Sequence, residues 1–328
     1  MSGDSSSPPA AEEPLLEVSV IVPAYRSPGT LERLVKEVDA ALSPITAEHE
    51  IVFVDDGSGD GTWLEIASLS RTHPHVSGIS LLRNFGQHNA LLAGLREAQF
   101  EIIVTIDDDL QNPPSELPLL LRRLDEDVDL VYGTPLDEQQ TRTRNIASIT
   151  AKRLMSHALG PDVYRRASAF RAFRRELLIA SEGVQNPDVS IDVLLSWATV
   201  RIDHVEVNFD VRDGGESGYT VRSLVRHALN MVTGYSTRPL RWVSALGLAC
   251  ASFGFALLGY VLLRNLLSDE SVAGFTFLAA AITLFSGVQL LSLGVLGEYL
   301  GRMHFRTMGK PPYAIRHRTS ETPNSTEQ

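Results

Sequence analysis

A chain of 328 residues, 44% hydrophobic and 21% charged, is long enough for one large domain or two modest ones and too apolar for general disorder. Its net charge of −11 is uneven: residues 1–130 carry 23 acids against 8 bases, the remainder 17 against 21. So acidic a first half excludes nucleic acid, whose backbone needs clustered Lys and Arg, and the single cysteine, Cys250, excludes an intrachain disulfide.

Met1–Pro14 is polar, Ser/Pro-rich and acidic, without the charged-then-apolar opening of a signal peptide, so residues 1–16 are expected to form a disordered tail. Val18–Pro23 is a short apolar strand, and Ala24–Gly29 is a turn. Thr30 is the expected N-cap of a helix over Leu31–Leu42. A second strand, Glu50–Val54, runs into Asp55, Asp56, Gly57 and Ser58, and Thr62 opens the next helix. Ile79–Leu82 is a third strand, followed by Arg83–Gln87 and a helix over His88–Ala98.

The segment Glu101–Pro114 carries the most chemistry. Ile102–Ile106 is a near-continuous β-branched run, suited to a strand buried on both faces of a parallel sheet. It stops at Asp107, Asp108 and Asp109, then Gln111, Asn112, Pro113 and Pro114. The alternation of strand, turn and helix predicts an α/β, doubly wound, mostly parallel sheet whose polar turns share one edge. That edge is where such sheets bind ligands. Three adjacent carboxylates repel one another, and Asp107, Asp109 and the Gln111 carbonyl offer hard oxygen ligands. Such a set suits Mg²⁺ or Mn²⁺ carrying phosphate oxygens; the alternative is an acidic loop that caps the next helix. No G-x-G-x-x-G follows the first strand and no P-loop is present. Asp55 and Asp56 would repel a pyrophosphate, which leaves them turn chemistry or a hydrogen bond to a base or ribose.

Pro23-Ala24-Tyr25, VDDGSGDGT (Val54–Thr62), RNFGQHNALLAGL (Arg83–Leu95) and DDDLQNPP together resemble glycosyltransferase family 2. Within it, the polyprenyl-phosphate glycosyltransferases are the nearest in pattern: dolichol-phosphate mannose synthases and bacterial aminoarabinose transferases to undecaprenyl phosphate. The resemblance spans roughly residues 18–318 and implies a GT-A-like domain over 17–220. It places Pro23, Tyr25, Val54, Asp56, Asp107 and Asp108 around the donor nucleotide, and a metal on Asp107, Asp109 and Gln111. Arg26-Ser27 replaces the family's usual Asn-Glu, which leaves the base open. Gly133-Thr134 leads to Pro135 where an arginine is common. Arg144 and Ser148 fit an R-x-x-x-S spacing on the helix that faces the acceptor phosphate in the family. Arg212 opens a loop similar to R-x-x-G-E-S-K, with Gly218 in place of lysine. Catalysis is thereby assigned to Asp109, Arg144 and Arg212, and acceptor phosphate binding to Arg144, Ser148 and Arg212.

The remainder points to a membrane. Residues 221–241 alternate basic and apolar side chains, as in an interfacial amphipathic helix, although an ordinary surface helix has the same pattern. Trp242–Leu263 and Val272–Leu296 run 22 and 25 residues without a charge. About 20 residues span a bilayer, so 242–296 is expected to be a two-helix transmembrane hairpin. Arginines flank both ends, which puts the catalytic domain and the tail 297–328 in the cytoplasm. Glu298–Arg302 matches a segment recurrent in the family's bacterial branch, so the expected location is the bacterial inner membrane. The implied reaction is inverting transfer of a sugar, UDP-linked by similarity, from a nucleotide diphosphate to polyprenyl (undecaprenyl) phosphate. The implied partners are donor, lipid phosphate and bilayer; a homo-oligomer is compatible with the sequence, and nucleic acid is not. The rival readings are a processive polysaccharide synthase and a non-catalytic membrane scaffold. Against the first, the Q-x-x-R-W glutamine and a T-E-D-like base are missing.

Overall fold

The computed structural model describes residues 16–136, 168–181, 183, 190–208, 238–267 and 274–320. Four parallel strands form the centre: β1 (Leu16–Ala24), β2 (Thr46–Asp55), β3 (Val76–Leu81) and β4 (Ile102–Thr105). They join β5 (Leu130–Pro135), β6 (Arg171–Arg174), β7 (Ile202–Val207) and β8 (Ile315–Arg318) in one sheet of order β7-β5-β6-β4-β1-β2-β3-β8. Only β6 and β8 run antiparallel to their neighbours. The architecture is mixed α/β with mostly parallel strands, as expected.

The strands are apolar on both sides, and their period of two divides the core. Val18, Val20 and Val22 of β1 face one layer of helices: α1 (Leu31–Leu42), α2 (Thr62–Thr72) and α4 (Leu117–Arg123). Ile21 and β2's Val52 face the other, built by α3 (Gln87–Glu97) and α5 (Ile191–Ala198). Leu31, Leu34, Val35, Val38 and Leu42 make the buried stripe of α1, and each contributes about 1.5–3 kcal/mol by leaving water.

The expected bounds of α1 are the observed ones, and Thr30 is its N-cap residue, but without a side-chain capping bond. Thr30 lies in helical backbone, and its hydroxyl donates to the Ser27 carbonyl at 3.1 Å, so it cannot reach the first-turn amides. Glu65 of α2 supplies the side-chain bonds there, its two oxygens accepting from Gly29 N at 2.6 Å and Glu32 N at 3.3 Å. Ile315–Arg318, which the sequence left within the C-terminal tail, is an edge strand on β3. Its charges suit an edge, where one flank stays in solvent.

The described residues 238–267 and 274–310 belong to a second compact unit. Its described helices, α6 (Arg238–Leu267) and α7 (Phe275–Thr307), pack against each other, with Gly254 against the ring of Phe285. Trp242, Leu248, Phe255 and Leu290 are 59%, 69%, 76% and 69% exposed. Among the described residues, no helix is long and apolar enough to cross a membrane. The segment 221–237 and the tip of the expected hairpin, 268–273, lie outside the described residues.

Candidate active site

The four central strands deliver their turns to one edge, where hydrogen bonds join each turn to the next. From β1, the Tyr25 amide donates to Asp108 Oδ2 at 3.1 Å and the Ser27 hydroxyl donates to the same oxygen, tying the first turn to the acidic one. The Arg26 amide donates to Ser58 Oγ at 3.0 Å and the Ser27 amide to Thr62 Oγ1 at 3.2 Å, tying it to the turn after β2. That turn reaches the next through Asp56, whose two oxygens accept from the Phe85 amide at 2.7 Å and the Gly86 amide at 2.8 Å. Gln87 completes the circuit by donating to Asp107 Oδ1 at 2.6 Å. Four loops widely separated in sequence are thus fixed around one crevice.

Glycine permits this closeness. Gly57 has φ +66°, and a Cβ there would lie 2.4 Å from the carbonyl carbon of Arg83, so no side chain fits between the second and third turns. Gly86, at φ +93°, turns its amide onto Asp56 at the start of α3.

The acids of the crevice are buried and crowded. Burial, then repulsion from Asp109 and Asp108, pushes the Asp107 carboxyl up from 3.8 to about 6, against the pull of Arg171 and Gln87. Burial also raises Asp108, opposed by Ser27 and Tyr25, and raises Asp56, opposed by the Phe85 and Gly86 amides. Gln111 Nε2 and Asn112 Oδ1 are buried without a hydrogen-bond partner among the described residues. Crowded carboxylates and an unsatisfied amide pair fit a divalent cation and the oxygens it would bring. Asp107, Asp109 and Gln111 are the residues able to hold it, the last once its amide turns to present oxygen.

Of the expected nucleotide contacts, Tyr25 is 42% exposed, whereas Val54 is fully buried in β2 between β1 and β3. Asp55 serves its own turn, accepting from the Ser58 amide at 3.0 Å and the Ser80 hydroxyl at 2.8 Å. Arg144, Ser148 and Arg212 lie outside the described residues. The sequence marked Ser27 only as a departure from the family's usual Asn-Glu and did not single out Gln87, although Gln87 lies in one of the resembling motifs. Nor did the sequence single out Arg171. It is 1% exposed, pairs with Asp192, and donates from Nε to Thr105 Oγ1 at 3.0 Å, two residues before Asp107.

The sequence profile described as "Glycosyl transferase family 2" matches residues 19–180, which include all four turns. The undecaprenyl-phosphate 4-deoxy-4-formamido-L-arabinose transferase of Serratia proteamaculans is 31% identical over 319 residues, covering 96% of this chain and 98% of its own. The chain belongs to glycosyl transferase family 2. A Yersinia pestis relative of the same description is 32% identical over 306 residues, 92% of this chain and 94% of its own. A crystal structure titled as a mycobacterial protein is 18% identical, with a TM-score of 0.51 over 67% of this chain and 75% of that one, and shares the fold. This glycosyltransferase therefore carries its acid cluster and its cross-linked turns within the part that the family profile covers.

Proposed function

We propose that this glycosyltransferase moves a sugar from a UDP-linked donor to undecaprenyl phosphate at the cytoplasmic face of a bacterial membrane, inverting the anomeric centre. The observation that carries the proposal is the acid cluster at the junction of four turns, in a chain aligned almost end to end with relatives named for this acceptor. A Mg²⁺ or Mn²⁺ ion held by Asp107, Asp109 and Gln111 would neutralise the departing diphosphate. Pro23, Tyr25 and Asp56 would line the base and ribose. No general base is required of the protein, because a phosphate monoester, with a second pKa near 6, already carries close to two charges. It requires positioning, for which Arg144, Ser148 and Arg212 are the candidates.

The uncharged runs Trp242–Leu263 and Val272–Leu296 support a membrane hairpin that holds the site at its lipid substrate. So do the exposed Trp242, Leu248, Phe255 and Leu290, since water is a poor neighbour for so much apolar surface. Ser244 and Ser292 donate to the Leu240 and Val288 carbonyls at 3.0 and 2.8 Å, which leaves these hydroxyls no donor to satisfy outside their helices.

The test is reconstitution of the full chain in vesicles with undecaprenyl phosphate and a panel of labelled nucleotide sugars, followed by lipid extraction. One UDP-sugar should label the lipid, and only with Mg²⁺ or Mn²⁺ present. A scaffold would label none. Arg144→Ala and Arg212→Ala should each cut the use of lipid phosphate about ten- to hundredfold and spare donor binding, since a charged hydrogen bond there is worth about 1.5–3 kcal/mol. Equal loss of donor affinity would assign these arginines to the diphosphate.

A pH dependence follows from Asp107. Its folded pKa lies above its unfolded value, so without metal its contribution to stability is complete below about pH 4 and is lost as pH rises through about 6. A cation needs the ionised form. Melting curves should therefore show Mn²⁺ stabilising the protein above pH 6 and fading below it. Equal stabilisation at pH 5 and 7.5 would remove Asp107 from the ion.

A further inference from the structure

At the other end of the strands, three side chains from three elements meet on one point. Asp39 lies in the last turn and a half of α1, His49 near the start of β2, and His75 immediately before β3. The Nε2 atoms of His49 and His75 each lie 2.9 Å from the same oxygen, Asp39 Oδ1. The cluster is 12% exposed at the His49 side chain and 29% at those of Asp39 and His75, so it is shielded but open to a small ion.

The backbone under each residue is fixed. The Ser43 amide donates to the Asp39 carbonyl at 3.0 Å, and the Ile51 amide to the His75 carbonyl at 2.9 Å, which sets His75 beside β2 at the edge where both strands begin. The three potential ligand atoms all lie within 4.8 Å of one another. In a tetrahedral zinc site with bonds of about 2.0–2.2 Å, ligand atoms stand roughly 3.3 Å apart. An ion would therefore spread the two Asp39–His contacts by roughly half an ångström, a change that side-chain torsions supply without moving a strand.

We propose that Asp39, His49 and His75 bind a borderline transition-metal ion, Zn²⁺ or one of similar preference, at a site separate from the acid cluster. Two imidazoles and one carboxylate select such ions over Mg²⁺, which prefers oxygen alone. From His49 to Asp55, β2 covers about 20 Å at 3.3 Å per residue, so this ion cannot reach the sugar diphosphate. Its effect is to clasp α1, β2 and β3 where they converge. A water would fill the fourth position.

The experiment uses the untagged full chain carrying Asp109→Asn, which weakens the acid cluster as a competing site. Titration with Co²⁺, a visible stand-in for Zn²⁺, should give one equivalent with the intense absorption of a four-coordinate ion, displaced by Zn²⁺. His75→Gln keeps a hydrogen-bond donor for Asp39 but is a poor ligand for these metals, and it should lower affinity by at least about a hundredfold. His49→Gln should do the same. Zn²⁺ should raise the melting temperature of the parent and of neither variant. Absence of Co²⁺ uptake by a folded parent would overturn the proposal, as would unchanged uptake by a folded His75→Gln. In either case Asp39 is only a carboxylate shared by two imidazoles.

Discussion

Asp109→Asn should leave a folded protein that transfers no sugar. The exchange preserves volume, and the bond from the Gln111 amide to Oδ1 at 3.1 Å survives because an asparagine oxygen also accepts. What disappears is charge. A carboxamide is a weak ligand for a hard cation, and loss of the ion would remove several kcal/mol of stabilisation from the departing diphosphate, a fall of at least about a thousandfold in rate. A second readout follows from the crowding of the acids. Repulsion from Asp109 helps to hold Asp107 at about 6, so in Asp109→Asn the Asp107 carboxyl should titrate lower. Measured together, Mn²⁺ affinity and turnover also separate two roles. Loss of both identifies a metal ligand, whereas loss of turnover with intact affinity would make Asp109 a base. Near-wild-type transfer at saturating metal would sink the assignment.

The parts of this site that could be read from sequence are those that local chemistry dictates. The run Ile102–Ile106 ends at three acids because prolines follow, and the structure ends β4 at Thr105. The stripe of α1 gave its bounds because five apolar residues at helical spacing leave no other face to bury. Asp55 kept the turn role that its place in the segment Asp55-Asp56-Gly57-Ser58 suggests. What escaped was set by contacts distant in sequence. Asp108 braces Tyr25 and Ser27, more than 80 positions away, and nothing in its own neighbourhood announces them. Glu65 supplies side-chain bonds at the start of a helix other than its own. Ile315–Arg318 has no apolar alternation to mark it, and it is a strand because β3 leaves an edge open to it. Arg171 escaped because a basic side chain suggests a solvated face, whereas a strand alternates its sides and this side chain points inward.

Arg171 also has the largest expected effect on stability. Its guanidinium is 1% exposed and pairs with Asp192, whose side chain is 18% exposed, while Tyr132 donates its hydroxyl to Asp192 Oδ1 at 3.1 Å. Taking one partner from a buried pair leaves the other desolvated and unmatched, at a cost of about 3–5 kcal/mol. Arg171→Met, which keeps most of the aliphatic volume, should therefore destabilise the protein by about 3 kcal/mol, the lower end of that range because Asp192 keeps some contact with water. Adding Asp192→Leu should cost less than the sum of the two single changes by about 1–3 kcal/mol, since neither charge is then left alone. A merely structural pair would do no more. Arg171 also opposes the rise in the Asp107 pKa, so its loss should push that carboxyl above about 6 and move the onset of Mn²⁺ stabilisation to higher pH. Urea melts of the single and double variants, with and without Mn²⁺ across that range, test both effects. If Arg171→Met unfolds like the parent and its Mn²⁺ onset stays in place, the buried arginine neither holds β4 nor tunes the acids at its end.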